Sequence, residues 1–252
     1  MERKVLLVSR AVSRRLVKQG AKAVFLFGSR VRGDAYKESD VDIHAIGRRP
    51  QYQYRLERCQ DFLVSVAWMT AGQHRQMFKN PSQVGGIIPA WRNAVIIYDP
   101  KGIASTIKNI ANKWRWEQLN PETDRWVAEE ITGWAEEVHR LVGNLELKRR
   151  NTAAINRSAL AIKMTPILAV HNRILYDSES RLWDFVSKRM GRKWTQIQNA
   201  ALGEGRQSFE DTCKAALQLY ALVAQQVSHL LDRRQYLVVA HACDIAGYPL
   251  KN

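Results

Sequence analysis

Cysteine is scarce in this chain. Its three thiols, Cys59, Cys213 and Cys243 in 252 residues, are too few and too scattered for a disulfide framework or a zinc site. They read as isolated thiols in a reducing compartment, the cytoplasm. Long apolar runs are missing as well. The best stretch, 160–176, is interrupted by Lys163, His171 and Arg173, so no membrane association is expected. The opening MERKVLLVSRAVSRRL is charged throughout and has no apolar core of a signal peptide. Acidic side chains are in deficit: 24 Asp and Glu stand against 39 Lys and Arg, a net charge of +15. Such a balance suits a polyanionic partner, either nucleotide phosphates or nucleic acid. Up to about residue 120, basic residues outnumber acidic ones about two to one, and beyond it only slightly.

Residues 3–19 place Val5, Leu6, Val8, Val12 and Leu16 at helical spacing, and Gly20 closes that helix. The apolar run 23–27 predicts a strand buried on both faces. A second strand, 41–46, alternates apolar and polar residues, and 62–69 and 94–98 are further strand candidates. Pro81, Gly85, Gly86 and Pro89 predict that much of 73–90 is loop. After Asn120-Pro121 the character changes to helical spacing over 122–147, 158–176, 180–188 and 210–240. A mixed part, 1–122, is thus followed by an all-helical part, 123–252.

The stretch that carries chemistry is Gly28-Ser29-Arg30-Val31-Arg32-Gly33-Asp34, followed by Ser39-Asp40-Val41-Asp42. Gly28 stands where a buried strand turns, and without a Cβ it lets a phosphate approach the backbone. Ser29 offers a hydroxyl and an N–H at a helix start, and Arg32 a planar donor fork for phosphate oxygens. Asp40 and Asp42, two apart, point to one side of a strand. Two carboxylates beside a phosphate cradle are what Mg²⁺ needs when it bridges protein and nucleotide. With each position occurring at about 5–7%, a chain of this length matches G-S-x10-D-x-D by accident about once in three hundred cases.

GSRVRGDAYKESDVD resembles the signature of the DNA polymerase beta superfamily, above all its minimal and its kanamycin (aminoglycoside) nucleotidyltransferases. The resemblance implies an α+β fold: an N-terminal nucleotidyltransferase domain, with a mixed sheet and flanking helices, then an all-α helical-bundle domain. It also implies Mg²⁺ held by Asp40 and Asp42, ATP or another NTP as donor, and pyrophosphate as the product released. In the helical part, His171-Asn172-Arg173-Ile174-Leu175-Tyr176 resembles an H-H-R-x-x-Y stretch of the aminoglycoside enzymes. Counting back from it, their general-base glutamate falls on Glu136 and their triphosphate-binding lysine on Arg140, one helical turn apart on the same face. Glu129, Glu130 and Glu137 are rivals for the base. A homodimer is implied by the same resemblance.

There is one departure. Where those enzymes carry a further acid in a V-E-V strand, this chain has Val64-Ser65-Val66, with Asp61 of like parity four residues earlier. The expected acceptor is a hydroxyl of a small, antibiotic-like molecule. The basic balance and the missing acid favour a neutral or anionic acceptor over a polycation, with an RNA end or a protein hydroxyl as other candidates. Two other classes stay open: an antitoxin-like or regulatory protein that keeps the fold and binds a protein or RNA, and a nucleic-acid-binding module.

Overall fold

The computed structural model describes residues 2–48 and 52–251. The chain forms two compact units, Met1–Gln118 with Leu175–Glu179, and Leu119–Ile174 with Ser180–Asn252. Among the described residues no helix is long and apolar enough to cross a membrane.

The first unit is a mixed sheet with helices. Helix α1 (Arg3–Lys18) buries Val5, Val8, Val12 and Leu16, a 3-4-4 spacing that aligns them on one stripe. The sheet follows the order β3-β4-β2-β1-β5, with β1 (Ala23–Leu26), β2 (Val41–Ile46), β3 (Tyr54–Cys59), β4 (Phe62–Met69) and β5 (Val95–Tyr98). β1 runs antiparallel to β2 and β5, β2 and β4 are parallel, and β3 is antiparallel to β4 at the edge. All four residues of β1 are buried, as a central strand covered on both faces requires. Val41, Ile43 and Ala45 of β2, with Val64, Val66 and Trp68 of β4, meet the α1 stripe in one core cluster. By alternation, Asp42 and His44 therefore occupy the opposite face of the sheet.

That opposite face is covered where a loop was expected. Residues 73–90 are largely helical, in α3 (Ala71–Met77) and α4 (Pro81–Asn93). Thr70 and Gln73 form a reciprocal capping box for α3, and the Asn80 carboxamide accepts from the Ser82 N–H at 3.0 Å to start α4. Pro81 sits in the first turn, where its missing N–H costs nothing. Pro89 is inside the helix and cannot donate back to Gly85. The Gly85 carbonyl accepts instead from the Tyr176 N–H at 2.9 Å, and the Tyr176 ring lies against Gly86, where a methyl group would come 3.0 Å from Cε2. The breakers that suggest a loop thus make the seat by which 175–179 joins the first unit.

The second unit is helical: α6 (Asn120–Gly133), α7 (Ala135–Glu146), α8 (Arg150–His171), α9 (Leu182–Met190), α10 (Arg192–Leu202), α11 (Phe209–Val227) and α12 (Arg233–Ile245), with α5 (Ile103–Lys113) belonging to the first. α8 and α11 are its centre, burying Leu160, Met164, Leu168, Leu219, Tyr220 and Val223. Each of these apolar side chains contributes roughly 1.5–3 kcal/mol by leaving water. Tyr220 is buried entire because its hydroxyl finds the Ile131 carbonyl at 3.0 Å.

Candidate active site

β1 ends at Leu26, and the chain turns through Phe27 and Gly28 into the single-turn helix α2 (Ser29–Arg32). Gly28 has φ +83° and ψ −173°, a conformation open in practice only to glycine. Space forbids a side chain as well: a methyl group at Gly28 would lie 1.8 Å from Asp42 Oδ2 and 2.8 Å from its Cγ. The Phe27 N–H donates to the Asp42 carbonyl at 3.2 Å, so the end of β1 and the start of β2 are fixed to each other at the carboxylate. Ser29 and Arg30 supply first-turn N–H groups that α2 itself leaves unused.

Asp40 immediately precedes β2, and Asp42 lies within it on the same side. Burial and then the neighbouring Asp42 charge push the Asp40 carboxyl above its ordinary value, against hydrogen bonds from its own backbone and from Ser65 and against the Arg30 charge. Ser65 is the register partner of Asp42 across the parallel β2–β4 pair, and its hydroxyl donates to Asp42 Oδ1 at 2.9 Å. A hydroxyl therefore occupies the place of the expected acid. Asp61 is exposed in the β3–β4 turn, four residues and about 13 Å of strand from Ser65. It does not join the pair, and among the described residues no cluster of three or more His, Cys, Asp or Glu is placed to hold a metal.

Two carboxylates on one face, one of them held protonated more readily by burial and by the charge of the other, fit a hard divalent cation that takes its remaining ligands from phosphate and water. Asp40 and Asp42 are the residues that would hold it. Arg32 is half-buried beside them, but its fork already engages Asp34, Nε to Oδ2 at 3.3 Å and Nη2 to Oδ1 at 3.2 Å. Service to a phosphate requires exchange of that partner.

Arg30, to which the motif gives no role, positions the acids. It is buried, donates from Nε and Nη2 to the Ser39 carbonyl at 3.0 and 2.6 Å and from Nη2 to the Lys37 carbonyl at 3.1 Å, and lies 4.8 Å from the Phe62 ring centre. The loop that delivers Asp40 is thereby tied to α2. No spacing rule identifies such a clamp, because its acceptors are backbone carbonyls.

A cavity of about 470 Å³ opens beside Asp42, bounded by Gly28, Arg32, Gln83, Tyr176, Asp177 and Glu179 among others, all within the first unit. Its lining is locally acidic, with three carboxylates and one ion-paired arginine. The overall charge of the chain is therefore no guide to the charge of this cavity.

Next along the face from Asp42, His44 meets Phe25, Phe27 and His74, with 6.5 Å between the two imidazole centres, and His74 in turn meets Trp91. Burial holds His44 down to about 4; burial and then His44 hold His74 down to about 3, and neither His74 nitrogen has a hydrogen-bond partner among the described residues. Both rings are neutral in the fold and take up protons near 6.5 when unfolded, so their contribution is complete above pH 6.5 and lost as pH falls toward 4. Each should cost about 3 kcal/mol by pH 4. Urea unfolding of His74→Leu should show a clearly shallower loss of stability between pH 7 and 4.5 than the parent. Equal slopes would remove the histidines from the account.

Glu136 and Arg140 belong to the second unit, on α7, where both are exposed and Arg140 Nη2 donates to Glu136 Oε1 and Nη1 to Glu137 Oε1. Glu137 is occupied at its other oxygen by the Asn156 amide at 2.7 Å, which leaves Glu136 the less committed carboxylate. Glu130 accepts from the Trp134 indole at 3.1 Å. Arg173 pairs with Asp124 and bonds Asn120, a role in packing. Trp114 and Trp116 are buried against each other and offer no platform for bases.

Residues 8–81 match the model of a nucleotidyltransferase domain. The first unit is thus similar, over these residues, to a nucleotidyltransferase domain. The match spans Gly28, Ser29, Asp40, Asp42 and Ser65, and a domain of this kind supports transfer of a nucleoside monophosphate in general. Along 95% of this chain and 79% of the other, the fold is also similar to that of a nucleotidyltransferase-like protein from Exiguobacterium sibiricum, with a TM-score of 0.55 and 11% identity. None of the curated proteins matches the sequence. The nucleotidyltransferase domain and the helical part together make an α+β chain.

Proposed function

We propose that the nucleotidyltransferase domain moves AMP from ATP, with Mg²⁺, to a hydroxyl of a small cationic acceptor and releases pyrophosphate. The observation that carries the transfer is the packing of Asp42 against Gly28 beside Asp40, which brings the phosphate cradle and both carboxylates together. The Ser29 and Arg30 amides bind phosphate oxygens, and Arg32 joins them on leaving Asp34. Asp40 and Asp42 would hold Mg²⁺, which when bound supplies charge neutralisation at the reacting phosphate. Arg30 keeps Asp40 at that position, and Ser65 orients Asp42 by its hydroxyl. The acid-lined cavity supports an amine-bearing acceptor over the neutral or anionic one that the net charge of the chain suggests. Asp177 and Glu179 attract cations where the sheet residue Ser65 does not.

Calorimetric titration with ATP tests the ligand assignment. Affinity should rise with Mg²⁺ in the parent protein and lose that dependence in Asp40→Asn/Asp42→Asn. Metal-dependent binding that survives the double substitution would remove both residues from the site.

A further inference from the structure

Part of the positive charge of the chain is concentrated on one helix, away from the cavity. Helix α1 carries six cations, Arg3, Lys4, Arg10, Arg14, Arg15 and Lys18, and not one acidic residue. All six are exposed. Arg15 is paired with Glu57 of the edge strand β3, and none of the other five has an acidic partner among the described residues. Arg10, Arg14 and Lys18 follow one another at i, i+4 and i+8, like charges one turn apart that weaken an isolated helix. Arg3 and Lys4 stand at its N-terminus, where the helix dipole disfavours cations. The ridge thus opposes its own helix at both levels, and the fold tolerates it because the apolar stripe beneath is fully packed.

We infer that the outer face of α1 is a docking ridge for the phosphate backbone of a nucleic acid. Its cations extend over about 22 Å, with steps of about 6 Å between Arg10, Arg14 and Lys18. A polyanion with closely spaced charges relieves all of the repulsion together and releases its own counterions. The alternative polyanion, an anionic membrane surface, needs an apolar helix face to insert. Here Val5, Val8, Val12 and Leu16 are buried against the sheet and Leu7 is the one large apolar side chain of α1 left exposed. α1 packs on the face of the sheet opposite Asp42, so a docked strand is held away from the transfer site and acts as a tether. This inference stands apart from the assignment of donor and acceptor.

The test is anisotropy of a short fluorescein-labelled RNA, with affinity followed from about 50 to 200 mM salt. The parent should bind, with log affinity falling linearly against log salt. Arg10→Gln/Arg14→Gln/Lys18→Gln should lower the slope by about 2, at roughly 0.7 for each phosphate of a single strand that is no longer neutralised. Lys188→Gln/Arg189→Gln/Arg192→Gln, which removes the same charge from the helical unit, should leave the slope unchanged. The α1 variant should melt no lower than the parent, since the repulsion along the helix is relieved, and should bind ATP equally, since none of its three changes touches core or cavity. Absence of binding at the lowest salt, an equal effect of the two triple variants, or binding to phosphatidylserine vesicles in place of RNA would each overturn the inference.

Discussion

Replacing Asp42 by Asn is expected to lower nucleotidyl transfer by about a thousandfold or more, roughly 4 kcal/mol of transition-state stabilisation, while leaving the fold at least as stable. The two halves of that expectation have one cause. Asp40 is pushed above its ordinary value by burial and by the Asp42 charge, so the pair is a strained one when no cation lies between its members. Asp40 holds its proton more tightly folded than unfolded, and its contribution to stability therefore falls as pH rises through that window. The carboxamide removes the repelling charge, keeps an oxygen to accept from Ser65, and takes away the anionic ligand. Steady-state kinetics and thermal melting at neutral pH measure both sides. Transfer within tenfold of the parent, or a large loss of stability, would contradict the assignment.

Gly28→Ala should be nearly as damaging, and for a steric reason that a neighbouring glycine isolates. Gly28 and Gly33 both have positive φ, +83° and +90°. A methyl group at Gly33 meets open space, whereas at Gly28 it falls 1.8 Å from Asp42 Oδ2. Both substitutions bear a backbone cost of about 1–3 kcal/mol, visible as lower melting temperatures. Only Gly28→Ala must also push the carboxylate out of place, and it should reduce transfer by about a hundredfold or more. Equal activity of the two variants would mean that the close approach of loop and carboxylate is immaterial.

Much of the first unit was legible because its signals are local. The buried run at 23–27, the alternation at 41–46 and the α1 stripe each state their environment within a few residues, and G-S-x10-D-x-D marks residues that the fold brings together, Gly28 against Asp42. Ser65 was legible too, as the residue that departs from the pattern and then proves to be the register partner of Asp42. What escaped depends on partners far along the chain. Pro89, with its neighbouring breakers, suggests loop until Tyr176 is seen to donate to the carbonyl it orphans. Arg30 looks like one more surface cation until Ser39 and Lys37 are found around it. His74 gives no hint of its burial beside His44, and edge strand β3 has too mixed a pattern, YRLERC, to announce itself. Charge is non-local in the same way. A sum over the chain includes the six cations of α1, while the charged lining of the cavity among the described residues is Asp42, Asp177, Glu179 and an arginine already paired. Glu136 and Arg140 were named by resemblance alone, and their mutual ion pair leaves their roles to be measured.

The central claim is that the α-phosphoryl group of an NTP is transferred together with its nucleoside. Parallel reactions with α-³²P-ATP and γ-³²P-ATP, with Mg²⁺ and a pool of amine-bearing hydroxyl acceptors, test it most directly. Label from the α position should appear on an acceptor while the γ label leaves as pyrophosphate, and Asp40→Asn/Asp42→Asn should abolish both. Transfer of the γ label to the acceptor, or α transfer that persists in the double variant, would contradict the account.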